Sequence, residues 1–211
     1  MLEHIPQWLG ALLKNARAGH DKLVIAQPAL AVPDRRIDLS SPAFASGGRL
    51  PDRFTADGAG VSPPLVWGDV PAGTASLALI VEDPDAPALT PLVHAVVVGL
   101  PASERRLAEG AIGKDGSRGA DGRDVGRNSF LGEGWLPPDP PTGHGSHDYV
   151  FQLFALSEAA AISANPGRSA LVEAIAGKVL GTGMLVGTYS RGEAEAAGRT
   201  RADGNIAGQM A

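Results

Sequence analysis

The chain has 211 residues, of which 44% are hydrophobic and 19% charged, and it carries a net charge of −5. That length suits one well-filled core, and the acidic balance excludes the basic stripe that a nucleic-acid footprint needs. There is no cysteine, which excludes a disulfide framework, a thiolate metal site and a cysteine nucleophile.

The chain opens on "MLEHIPQWLGALLKNARAGH", where Ile5, Trp8, Leu9, Leu12 and Leu13 recur at i, i+3, i+4, i+7 and i+8. That period predicts an amphipathic helix within residues 1–20. Pro6 and Glu3 interrupt it, and it lacks the basic start and small-residue cleavage site of a secretory signal. No stretch approaches the roughly 20 apolar residues that span a bilayer, so a cytoplasmic protein is the expectation. Residues 21–67 place Pro, Gly and Ser between short apolar pieces, the punctuation of brief strands and turns. "LALIV" (77–81) within "GTASLALIVEDPDAP" predicts a strand over about Ser76 to Glu82, buried on both faces because its apolar run is continuous. "HAVVVGLP" (94–101) and "DYVFQLFAL" (148–156) predict two more, rich in the valine and aromatics that favour sheet.

Between them run over 40 residues of Gly, Pro and charge with no sustained period, a length that marks a functional or disordered loop. "NPGRSALVEAIAGKVLG" predicts a helix with Asn165 as cap, Pro166 at its first position, and Leu171, Ala174 and Ile175 on one side. "MLVGTY" (184–189) is expected to close the sheet. The tail from Arg191 lacks aromatics and period and is expected to be disordered. The organisation expected is a helix over 1–20, one mostly-β domain over 21–190 and a tail over 191–211.

Two strand ends carry candidate chemistry. Asp83 and Asp85 sit in a proline-stiffened corner, and His94 opens the next apolar run. In "GHGSHDYVF", His147 and Tyr149 are two apart, so in a strand they share a face, with Phe151 and Leu153 below them. Two histidines and a phenol supply hydrogen-bond donors enough to surround an oxyanion without arginine. A nearby carboxylate either orients a histidine and raises its pKa or meets a ligand ammonium; both jobs stay open for Asp83.

"FTADGAGVSPPLVW", "LALIVEDPDAP", "HAVVVGLP", "PPTGHGSHDYVFQLFAL" and "KVLGTGMLVGTY", in this order, resemble the phosphatidylethanolamine-binding protein family, most closely its bacterial, Raf kinase inhibitor-like branch. The likeness spans about residues 38–190. It implies an antiparallel, Greek-key β-sandwich with a few peripheral helices and a small anion-accepting cavity at one end. It also implies that Asp83, His94, Pro141, His147 and Tyr149 line the cavity, with Asp85 and Trp135 as candidate rim residues. The implied partners are a small anionic or phosphoryl-headgroup ligand, a second copy of the chain and a protein such as a kinase, with no cofactor and no metal. Three positions depart from the family's pattern. Asp148 stands where an arginine is usual, Ala95 where an aromatic often follows the first histidine, and Lys178 where many bacterial relatives carry histidine.

Other classes fit less well. Ser146, between His144 and His147, lacks the strained G-x-S-x-G turn of a hydrolase nucleophile. His94, His147 and Asp83 are ligand types for zinc or iron, yet no H-x-x-x-H spacing supports them. "GTGMLVG" follows a helix and fails the dinucleotide fingerprint. A protein-interaction scaffold working through the N-terminal apolar stripe is the remaining alternative.

Overall fold

The computed structural model describes residues 15–113, 124–160, 162 and 165–191. Two sheets face each other. The smaller takes β1 (Leu39–Ser40), β3 (Leu65–Trp67) and β6 (Arg106–Leu107) in the order β1-β3-β6. The larger takes β2 (Gly48–Arg49), β4 (Ser76–Asp83), β5 (Leu92–Pro101), β7 (Asp124–Val125), β8 (His147–Leu156) and β9 (Val179–Tyr189) in the order β2-β9-β8-β4-β5-β7. Pairing is antiparallel apart from the short β2–β9 contact, which is parallel. The expected mainly-β sandwich is what forms.

β4 lies at the centre and is buried along its whole length. Leu77, Leu79 and Val81 enter the core between the sheets with Leu65, Trp67, Phe151 and Leu153. Ala78 and Ile80 face the other way, against Val24, Leu30, Leu171 and Ile175. This second core is roofed by 3-10 turns at Val24–Ala26 and Pro28–Leu30 and by α1 (Arg168–Ile175). One carboxylate staples the roof down. Glu82, fully buried, accepts hydrogen bonds from Val24 N–H (2.8 Å) and Gln152 Nε2 (2.8 Å) through one oxygen, and from Arg168 Nε (2.6 Å) through the other. Gln152 in turn accepts from Ile25 N–H at 2.8 Å.

Three expectations need correction. The last strand starts at Val179, not 184, and it lies inside the sheet between β8 and β2. Its glycines allow close approach. A Cβ on Gly183 would stand 2.9 Å from Ile37 O and 3.0 Å from Leu39 Cβ. Gly183→Ala is therefore expected to destabilise the fold by about 1–3 kcal/mol, read by chemical denaturation, because backbone lies in the way. The helix is capped by Gly167 instead of Asn165, which takes a left-handed φ of 58°. Pro166 precedes the helix, and its carbonyl accepts Arg127 N–H at 3.0 Å. The long connection of residues 102–146 contributes β6 and β7, and its last part walls the site described below. The predicted N-terminal helix falls largely on 1–14 and the predicted tail on 192–211, both outside the described residues; Asn15–Gly19 forms no helix.

Candidate functional site

The alternation of β4 sends its two terminal carboxylates to opposite faces. Glu82 continues the Ala78–Ile80 row, and Asp83 continues the Leu77–Leu79–Val81 row at the open end of the core. On β8, His147 and Tyr149 extend the row of Phe151 and Leu153, as the period of two predicts. His94 arrives by another route. Val81 pairs with Ala95 but Glu82 pairs with Val93, so His94 is the extra residue of a β-bulge. The bulge turns its ring to the same end as Asp83 and Tyr149, a re-aiming that bulges commonly perform.

The three strand ends and the proline lip enclose a cavity of 190 Å³. Asp83, His94, Asp139, Pro141, His147 and Tyr149 are among its lining residues, with Ala86, Pro87, Leu92 and Phe130 supplying apolar wall. Asp83, His94, His147 and Tyr149 are all buried. The lip "LPPDPP" is held at both ends. At one end Leu136 is clamped by His94, its N–H donating to His94 O and its carbonyl accepting from His94 Nδ1, each at 2.7 Å. At the other, Arg191 pairs with Asp139 and forks onto Asp57 at 2.6 and 2.7 Å.

Inside, Asp83 Oδ2 accepts from His147 Nδ1 at 2.7 Å, and His147 Nε2 meets His144 Nδ1 at 2.7 Å. Asp83 Oδ1 accepts Asp85 N–H at 2.8 Å. Asp83 is thus an orienting group for His147, one of the two jobs left open by the sequence. The expectation that both histidines donate into the cavity needs correction. His147 uses both nitrogens on protein partners, and the Nδ1–H of His94 is spent on Leu136 O, a carbonyl that only accepts. His94 Nε2 and the Tyr149 hydroxyl are buried with no hydrogen-bond partner among the described residues. Burial pushes the His94 imidazole below its usual pKa, against the pull of Asp83. Burial likewise lifts the Tyr149 phenol well above its usual value, so it stays a donor.

The two rim candidates sit behind the wall. Asp85 pairs with Arg17 and accepts Asp148 N–H at 2.7 Å. Trp135 is a core residue stacked on Phe151, its ring 6.3 Å from that of His94. Ser146 is exposed and does not line the cavity. Among the described residues, the three candidate metal ligands that lie within 4.8 Å of one another are His20, Asp85 and Asp148, outside the cavity. Sequence reasoning missed His144, Asp139 and Arg191. The H-x-x-H spacing signalled the first, while nothing local links Arg191 to a loop more than fifty residues before it.

A family model described as phosphatidylethanolamine-binding protein matches residues 40–190. The chain belongs to the phosphatidylethanolamine-binding protein family. A UPF0098 protein of Methanothermobacter thermautotrophicus is 38% identical over 156 residues, covering 74% of this chain and all of its own. Two solved structures are similar. The homologue CT736 of Chlamydia trachomatis has a TM-score of 0.66 at 33% identity, over 75% of this chain and 99% of its own. YbcL of E. coli, described as a member of the mammalian PEBP family, has a TM-score of 0.69 at 29% identity, over 73% and 98%. Asp148 is one of the three positions expected to depart from the family's pattern. It is half-buried, faces away from the cavity toward His20 at 3.4 Å, and its pKa is raised by burial and by Asp85. Lys178 pairs with Glu158 at 3.1 Å, and Ala95 is buried core. No helix among the described residues is long and apolar enough to cross a membrane.

Proposed function

We propose that the protein binds a small phosphate-type oxyanion, such as a phosphoryl headgroup, in the cavity between Asp83, His94, Pro141, His147 and Tyr149. One observation carries this reading: two buried polar atoms, His94 Nε2 and the Tyr149 hydroxyl, have no partner among the described residues at a site whose other polar groups are satisfied. Leaving such groups unpaired costs free energy, and a bound ligand that accepts from the Tyr149 hydroxyl and donates to His94 Nε2 satisfies both. The volume suits a headgroup and not a whole lipid. The reading is of a binding protein without a chemical step, since the candidate nucleophile Ser146 lies outside the cavity. Regulation of a protein partner, assembly with a second copy and a cytoplasmic location belong to the same reading.

Calorimetric titration with phosphoethanolamine, with acetate as control, tests it. Saturable binding of phosphoethanolamine is expected. Tyr149→Phe is expected to weaken it roughly tenfold, the loss of about one hydrogen bond to a charged group. The variant is expected to fold at least as stably as the parent, because the hydroxyl has no hydrogen-bond partner to lose among the described residues. Equal affinity in parent and variant would remove Tyr149 from the site.

A further inference from the structure

We infer that the cavity selects oxyanions that still carry a proton, a phosphate monoester in its monoanionic form, with His94 Nε2 as the acceptor of that proton. This rests on the oxyanion reading above and specifies its ligand class. Leu136 O can only accept, so His94 Nδ1 must hold its hydrogen, and the neutral ring then presents a lone pair at Nε2. An acceptor aimed at a fully ionised phosphate is repelled, whereas a hydroxyl on phosphorus donates to it directly.

Carboxylates reach the surroundings of His94 from two sides, and the arginines near them lie outside the cavity lining. From β4 comes Asp83, with Asp85 and its partner Arg17 behind it. From β8 come Tyr149, whose ring meets that of His94 edge-on at 5.0 Å, and His147, whose nitrogens are engaged by Asp83 and His144. From the lip comes Asp139, whose charge is matched by Arg191, itself shared with Asp57. Among the described residues no lysine or arginine lines the cavity, and two carboxylates do. A dianion entering this site meets carboxylates and a lone pair. A monoanion meets the Tyr149 hydroxyl as donor and His94 Nε2 as acceptor. Whether the shared proton sits on the ligand oxygen or on Nε2, the complex holds one proton more than neutral protein plus dianion. Binding of a dianion therefore takes up one proton.

The test compares methyl phosphate with methyl sulfate, a near-isostere with no proton to give near neutral pH, by calorimetry across the neutral range. The phosphate's second ionisation lies near pH 6. Above it, affinity for methyl phosphate is expected to fall roughly tenfold per pH unit, the slope of one-proton linkage. Near pH 6, methyl sulfate is expected to bind at least about tenfold more weakly, one donor–acceptor pair being replaced by two acceptors. His94→Gln, whose amide can turn its NH₂ toward the ligand, is expected to bind the two anions alike and with a flat pH profile. If that variant fails to fold, the comparison on the parent protein decides alone. Equal affinity for the two anions with no pH slope overturns the inference and leaves the oxyanion reading intact. Binding of neither anion at any pH overturns both.

Discussion

Replacing Glu82 by alanine is expected to lower the unfolding free energy by about 3–5 kcal/mol, the usual cost of removing one partner from a buried charge pair. The carboxylate is fully buried and serves three donors: Val24 N–H, Gln152 Nε2 and Arg168 Nε. Alanine leaves all three without it, beneath a roof of 3-10 turns that is otherwise tied to the sheet by the Ile25–Gln152 hydrogen bond and apolar packing. For a domain of this size the thermal midpoint should drop by roughly 6–20 °C, measurable by calorimetry or circular dichroism. Glu82→Gln keeps an acceptor for Val24 N–H and should lose less than half as much. A drop in Glu82→Ala no greater than that of an exposed substitution such as Glu173→Ala would show that the roof is held by apolar packing alone.

Arg191→Ala is expected to cost about 2–4 kcal/mol, less than a fully buried pair because its partner Asp57 is partly exposed. The guanidinium binds Asp57 through two nitrogens and also meets Asp139 and Pro140 O, so it ties the end of β9 to the lip of the cavity. Tyr189 adds its hydroxyl to Asp57 at 2.7 Å. Phosphoethanolamine affinity is therefore expected to fall with stability, although Arg191 does not line the cavity. The pH dependence has a definite sign. Hydrogen bonding to Arg191, offset in part by burial, holds the Asp57 carboxyl below its ordinary value. A depressed carboxyl adds stability above its unfolded value of about 3.9, and that stability is lost as pH falls through the folded value. The deficit of Arg191→Ala should accordingly be full at neutral pH and shrink below about pH 4. A deficit that stays constant down to acid pH would contradict the ion-pair account.

The strands that build the site were legible because their burial is two-sided: "LALIV" and "HAVVV" leave little room for a polar face, and β-branched residues favour sheet. Alternation alone placed His147 and Tyr149 together. Alternation alone would also have set His94 on the face opposite Ala95. The bulge that brings it to the cavity is a matter of pairing register with β4, which a single strand does not encode. The tight packing of β9 is hidden for a related reason, since Gly183 is required by the approach of residue 37 from far along the chain. Arg191 and Asp57 are separated by more than a hundred residues, so no local pattern announces the clamp. The hydrogen-bond capacity of the histidines was counted correctly from residue type. How much of it remains for a ligand depended on Leu136 and His144, whose positions only the folded lip sets.

The most direct test of the oxyanion pocket follows the histidine ring nitrogens by NMR while phosphoethanolamine is added near pH 6, with acetate as control. The Nε2 signal of His94, the buried nitrogen without a partner among the described residues, should move saturably. His147 should respond with it through the shared cavity, and Asp83→Ala should alter the His147 response by removing its 2.7 Å partner. If neither ring responds to phosphoethanolamine at concentrations that saturate the calorimetric signal, the cavity is not where the anion binds.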